Sequence, residues 1–584
     1  MEINETVKQK SESKIVGFIK GLSPRFNQRF IPLLLFLTAL IFHGIFAVYM
    51  EKAIILPEFS GESNSVTHMI DKVVYYPATL IFANPFRQYT AMLMTNSVLC
   101  ALLPVIAYKI ATHLKVENVW QRLLISAASG LYPALFAQTK FAGSGTVGFL
   151  FAGVTALTLL TVSDSKNKLF RHFMTVILGL ISVVAVFTDK TMLAAVAALI
   201  LTVLISRFCL KKKAVPLITL GISLTLSAFF LRTLTQRLGI TSAIDSLLQS
   251  DLFSAVGDGA SLSRLIPGHL YYFVVSTWGL GVLGFCLFAR MNRAFLKENP
   301  KLTNYYIFSV FAYLSAVFCI ALSVLTAATP DFFPNVYGLQ ESLIYGKYID
   351  GFIPLILISS VYSVCTRELD LRAILSAVVV SGGIFTAFFS LTAPYVVRAG
   401  QVNVSAILGI YPLRIGADID SLITVDGLFL TLSAVFCFMA LLIVYVCCGG
   451  KHRVKIISAT IAGIAVYSGV YVCSVYLPYE RSRVIGYNTP VYEVSEHIFN
   501  SADAHPVIVS DNREETVALL QFLNGYAQIS GVNDNEYENY FFIDLKTGFL
   551  PLEQNENTVI IGETDSYRVY AVGEKAVMYA GSVE

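Results

Sequence analysis

The sequence predicts a polytopic α-helical membrane protein of about thirteen spans, followed by a small α/β domain outside the membrane. Three observations predict it. Of 584 residues, 55% are hydrophobic and 14% charged, and the mean hydropathy is +0.66; a soluble chain of this length needs far more charge to cover its surface. Apolar runs of roughly 20 residues, long enough to cross the hydrocarbon layer, recur from Phe30 to Cys473. After residue 476 the chain turns acidic: 491–584 holds sixteen Asp and Glu against four Lys and Arg, as a solvated domain does.

Residues 1–29 carry Lys8, Lys10, Lys14, Lys20, Arg25 and Arg29. The apolar run behind them is too long for a signal h-region, and no small-residue cleavage site follows it. This reads as an uncleaved first span behind a basic cytoplasmic tail. Membrane helices are expected near 30–50, 90–110, 121–138, 144–163, 172–188, 191–208, 214–231, 269–290, 304–327, 350–365, 373–394, 427–448 and 456–476. Alternate links are basic: "KNKLFRH" (166–172), "KKK" (211–213), "RMNRAFLK" (290–297) and "KHRVK" (451–455). The other set holds every long loop: 51–89, 232–268, 328–349 and 395–426. The positive-inside rule then puts the N-terminus in the cytoplasm, and those loops and residues 477–584 outside the cell membrane.

In the tail, "HPVIVSD" (505–511) and "NTVIIGET" (557–564) have strand length, and "REETVALLQFLNG" (513–525) has helical spacing with a glycine stop. "YRVYAVGEKAVMYAG" (567–581) reads as a hairpin turning at Gly-Glu. The nine cysteines all fall in or beside apolar segments, without CxxC or Cys/His spacing, so they read as core residues. No nucleic-acid partner is expected.

Ionisable groups at membrane depth are costly and so mark function. Asp189 and Lys190 interrupt "VAVFTDKTMLAAVAAL". Lys347, between Tyr345 and Tyr348 in "YGKYID", lies at the same expected level on another helix, as does Arg398 in "PYVVRAG". Separated outer cations beside aromatic rings suit a lipid phosphate, with lysine acting as a point charge; interfacial anchoring gives the same pattern. The first outer loop contains Glu58, Glu62 and Asp71. A carboxylate there can act as general base on a hydroxyl, or hold a divalent cation through oxygen ligands; a solvated loop is the plain alternative. "YYPATLIFANP" (75–85) is too short to span and reads as an interfacial segment. The loop 232–268 reads as a cover or a connector.

The passage "YYPATLIFANPFRQYTAMLMTNSVLCALLPVIAYKIATHL" (75–114) resembles the entry to the second helix in the GT-C superfamily of integral-membrane glycosyltransferases. "ISAASGLYPALFAQT" (125–139), "TDKTMLAAVAALILTVL" and "YGKYIDGFIPLI" are similar to later elements of that group in the same order, over roughly residues 30–370. The chain therefore looks like a diverged, protein-mannosyltransferase-like member. The resemblance implies a polyprenyl-phosphate-sugar donor, a glycan or protein acceptor outside the membrane, and transfer of a hexose or pentose. It also implies a catalytic carboxylate in the first outer loop, where Glu58 follows a proline, with Glu62 and then Asp71 as next choices. Lys190 and Lys347 would meet the donor phosphate, and Tyr345 and Tyr348 its headgroup.

The chain departs from the group's pattern in three places. "PEF" offers one acid where relatives carry an Asp-Glu pair, Lys347 replaces an arginine, and no carboxylate occurs from Gln138 to Leu150. A non-catalytic scaffold is therefore a rival reading. A lipid-glycan transporter is another, although a transporter is expected to show internal repeats with matching broken helices and no convincing repeat is visible.

Overall fold

A computed structural model describes residues 24–54, 74–75, 77–78, 80–82, 84–138, 144–189, 191–211, 214–237, 259–291, 293–327, 343–346, 348–366, 369–399, 401–403, 407–413, 422–448, 450 and 452–499. It also describes the short stretches 507–508, 528–529, 540–544, 557–563, 568–574 and 577–578. The helices are α1 (Pro24–Tyr49), α2 (Pro85–His113), α3 (Val119–Gly130), α4 (Pro133–Gln138), α5 (Ser144–Asp164) and α6 (Lys168–Thr188). Next come α7 (Met192–Phe208), α8 (Leu217–Arg237), α9 (Gly259–Ser276), α10 (Leu280–Ala289), α11 (Arg293–Glu298) and α12 (Thr303–Ala327). The last are α13 (Ile353–Thr366), α14 (Leu371–Leu391), α15 (Ala393–Ala399), α16 (Gly427–Cys447), α17 (Arg453–Tyr471) and α18 (Leu477–Phe499). Among the described residues, eight helices are long and apolar enough to cross a membrane, and a bent pair makes a ninth. This is a multi-pass helical membrane protein.

Polar caps start several helices, α2 and α6 four to five residues ahead of the expected 90 and 172. Asn84, Asn118 and Asn167 accept backbone N–H groups from the first turns of α2, α3 and α6, and Asp370 and Asp426 do the same for α14 and α16. Each cap satisfies donors that lipid could not. The described residues between 74 and 81 are helical, with Leu80 and Ile81 exposed. The Tyr75 hydroxyl donates to Asn96 on α2, a buried bond that ties this stretch to the bundle.

Two expected spans are broken. The one near 121–138 parts at Leu131 and Tyr132 into α3 and α4. The one near 269–290 bends by 95° between α9 and α10. At that corner Trp278 and Gly279 both take left-handed backbone, φ 56° and 75°, and their N–H groups return to Val275 and Val274. These bonds close α9 in the manner of a helix C-terminus, and the buried Trp278 indole fills the corner.

The helix expected to end at 476 instead runs from Arg453 to Phe499 through a π-turn at Val472–Tyr476. Pro478 has no N–H to return to the preceding turn, and the wider π-turn just before it absorbs that defect. Residues of α18 bind the exit of α1. Arg481 Nε donates to the Tyr49 carbonyl, Asn488 Nδ2 to that of Ile54, and the Tyr492 hydroxyl to that of Lys52.

Strands β1 (Gln401–Asn403) and β2 (Leu422–Thr424) pair antiparallel within the 395–426 loop. In the tail, β3 (Val507–Ile508) and β4 (Gln528–Ile529) pair parallel. A three-stranded antiparallel sheet runs in the order β5 (Tyr540–Asp544), β7 (Arg568–Val572), β6 (Thr558–Glu563). The hairpin expected within 567–581 is not formed among the described residues. β7 pairs with β5 and β6 instead, and Gly573, at φ 96°, leads into a helical turn closed by Val577 N–H to Gly573 O. The expected helix at 513–525 lies outside the described residues.

Candidate functional site

The centre of the candidate site is Asp350, in the 3-10 turn (Ile349–Gly351) that opens α13. It is fully buried. Its Oδ1 accepts the hydroxyls of Tyr132, from the break between α3 and α4, and of Tyr272, from α9; the Tyr272 bond is 2.7 Å. Tyr272 Oη in turn accepts the Gly409 N–H at 2.9 Å. Asp350 Oδ2 has no hydrogen-bond partner among the described residues. A buried carboxylate with one oxygen fixed can accept a further hydrogen bond or pair with a cation, and leaving it alone is costly.

Close approach of backbone to ring shapes the surrounding turn. A Cβ on Gly346 would fall 1.9 Å from Tyr272 Cζ, and one on Gly268 would fall 1.7 Å from the Leu343 carbonyl oxygen. A Cβ on Gly409 would meet the Tyr132 and Tyr272 oxygens at 2.3 and 2.5 Å. Only glycine lets the 343–346 turn and the 407–410 turn seat against α9 and the break after α3.

A second carboxylate lies close by. Asp189 Oδ1 accepts the Thr191 N–H at 2.8 Å, and its other oxygen packs on Gly148 at the start of α5. Cys319 on α12 lies within electrostatic reach of both Asp189 and Asp350, and its thiol donates to the Tyr348 carbonyl. The Met192 methyl packs against both Gly148 and Gly351. The chain on either side of positions 190 and 347 is thus packed together.

Of the residues expected at the site, Tyr345 and Tyr348 are half-buried and in edge contact, ring centroids 5.2 Å apart. Arg398 is exposed on α15 and makes no hydrogen bond or ion pair among the described residues. Glu58, Glu62, Asp71, Lys190 and Lys347 lie outside the described residues. No group of three His, Cys, Asp or Glu able to hold a metal occurs among the described residues.

The sequence reading passed over two groups. Asp350 stood in the quoted "YGKYID", but nothing local said that two distant tyrosines would bury it. Arg264, at the start of α9, stacks its guanidinium 4.0 Å from the centre of the Tyr395 ring, while its carbonyl accepts from Thr392.

No protein-family model and no curated protein matches the chain. Among solved structures, it matches ArnT from Cupriavidus metallidurans bound to undecaprenyl phosphate, at 11% identity and a TM-score of 0.48, over 92% of this chain and 97% of that chain. The apo state of the same protein matches at 12% identity and 0.46, over 86% of each chain.

Proposed function

We propose that the chain is a membrane glycosyltransferase that moves a sugar from a polyprenyl-phosphate donor to an acceptor outside the membrane, a cell-envelope glycan. One observation carries this reading. Stretches read from sequence alone as GT-C elements, at 125–139, around 189–192 and at 345–356, meet through Tyr132 with Asp350 and Met192 with Gly351 although they lie far apart in the chain.

In this mechanism the acceptor hydroxyl attacks the anomeric carbon and its proton passes to a first-loop carboxylate, Glu58 before Glu62 or Asp71. The bond from the anomeric carbon to the phosphate oxygen breaks, and the phosphate leaves with the electron pair. Lys190 and Lys347 neutralise that developing charge, the largest electrostatic task in the step. The crossed rings of Tyr345 and Tyr348 offer an aromatic surface for the headgroup. Asp350, held by two phenols, fixes the turn that carries Tyr345 and Tyr348.

The test is sugar transfer by the purified protein in nanodiscs with radiolabelled polyprenyl-phosphate sugars. Glu58→Gln is expected to abolish transfer while keeping donor binding. If Glu58, Glu62 and Asp71 can each be replaced without loss, the first-loop mechanism is wrong. The absence of any acid from Gln138 to Leu150 favours a second reading, a donor-binding scaffold without chemistry. Donor binding by a wild type that transfers nothing selects it.

A further inference from the structure

A cavity of about 530 Å³ opens where α2 and α5 end and α3 and α12 begin. It lies away from the Asp350 cluster, at the ends of helices joined by the basic links. Lys115, Arg122 and Lys301 line it from three separate segments, together with Glu117, Asp164 and Asn304. We propose that this cavity binds the phosphate headgroup of an anionic membrane lipid. The proposal is independent of the sugar-transfer reading.

The carboxylates pair with the two lysines only loosely. Asp164 is taken up by others: Oδ1 accepts Asn304 Nδ2 at 2.5 Å, and Oδ2 lies 2.7 Å from His113 Nδ1. Lys115 Nζ stands 3.8 Å from Asp164 Oδ2, beyond hydrogen-bond length. Lys301 and Glu117 are 4.0 Å apart and 83% and 91% exposed, a geometry that contributes little and opens readily. Arg122 is different. Its Nε donates to the Val116 carbonyl at 2.6 Å, and its guanidinium faces the Tyr108 ring from 5.8 Å. The fork is fixed by its inner nitrogen, which leaves two terminal amino groups for a phosphate.

Lys115 sits at φ 63°, in the left-handed conformation that favours glycine. The position closes α2: Lys115 N–H returns to Thr112 O, and Val116 N–H to Ala111 O. Glycine would serve that turn better, yet the chain places a cation there, on the cavity wall. Trp120, 55% exposed in the first turn of α3, is the kind of residue that marks the headgroup level. A cavity at that level, with an excess of cations, fits a lipid phosphate that stays anchored by its tails.

The strained lysine supplies the test. Thermal unfolding of the purified full chain in neutral detergent is measured with dioleoyl phosphatidylglycerol, with dioleoyl phosphatidylcholine, and with inorganic phosphate. In the wild type, phosphatidylglycerol is expected to raise the midpoint, and the other two are not. Lys115→Gly eases the backbone, so its midpoint without lipid should hold or rise while its affinity for phosphatidylglycerol falls about fivefold, the effect of one lost cation near a lipid surface. Arg122→Gln should weaken the lipid response at least as much. An unchanged response in the Lys115→Gly/Arg122→Gln double variant overturns the site, as does an equal response to phosphatidylcholine. A shift reproduced by inorganic phosphate alone overturns the assignment to a lipid.

Discussion

The Tyr272 phenol donates to Asp350 Oδ1 at 2.7 Å while accepting the Gly409 N–H at 2.9 Å, so one hydroxyl joins α9, the turn opening α13 and the 407–413 segment. Tyr272→Phe strands a buried N–H and removes one of the carboxylate's two donors. The expected cost is about 1–3 kcal/mol in thermal or denaturant unfolding. Hydrogen exchange at Gly409 should speed up in the same variant. Because the two substitutions share a partner, Tyr132→Phe combined with Tyr272→Phe should depart from additivity. Additive effects with Gly409 still protected would show that the cluster is not a unit.

Glycines separate close packing from open space. Gly346→Ala places a methyl where the Tyr272 ring stands, and is expected to lower the unfolding midpoint sharply. Gly221→Ala, on α8 with nothing within 4 Å of the added carbon, should leave it unchanged or raise it, by about 1 kcal/mol of helix propensity at most. Equal responses at the two positions would contradict the packing described at Gly346.

Asp370 gives a pH prediction. The Arg372 backbone N–H, then the Arg290 guanidinium, hold its carboxyl below the usual carboxylate range. A depressed folded value contributes stability that is fully present above the unfolded value near 4 and is lost as pH falls through the folded value. Asp370→Asn keeps the cap shape and removes the charge. Its midpoint deficit relative to wild type should stay constant from about pH 6 to 8 and shrink below about pH 4. A deficit that persists in acid would assign the effect to shape instead of charge.

Orientation can be read by labelling intact cells in a Cys209→Ser background, which removes the one exposed native thiol among the nine. Cysteine replacing Lys166, exposed in a basic link, should resist an impermeant reagent. Cysteine replacing Met578, 71% exposed in the tail, should react. Reaction at both positions would overturn the expected topology.

Apolar runs and alternating basic links made the helices legible, because lipid imposes both on the sequence. Breaks were less visible. Nothing local to "VVSTWGLGVL" distinguishes a left-handed Trp278–Gly279 corner from a straight span, since the bend depends on what packs around the indole. The π-turn before Pro478 likewise needed the neighbouring chain. Asp350 was visible as a residue, but its two phenol partners lie 218 and 78 residues away in sequence, and no spacing rule reaches them. The tail hairpin failed for a related reason: β7 has the pattern of a strand, and which strand it pairs with is decided by distant segments.

Residues 477–499 of the long helix hold the exit of α1 through the main chain of Tyr49, Lys52 and Ile54, and Arg481 also stacks its guanidinium 4.8 Å from the centre of the Tyr49 ring. Arg481, Asn488 and Tyr492 supply side chains, and what they hold are the carbonyls of Tyr49, Ile54 and Lys52 and, at 3.4 Å, the Ile54 N–H. At Lys52 and Ile54, where only backbone atoms are held, such a clamp is indifferent to the identity of the residues. The root of the loop bearing Glu58 can therefore drift in sequence, barring proline at Ile54, without letting go, whereas a single change at Asn488 or Tyr492 releases it. An alanine scan should find the sensitivity on the far side of the contact, more than four hundred positions away in the chain.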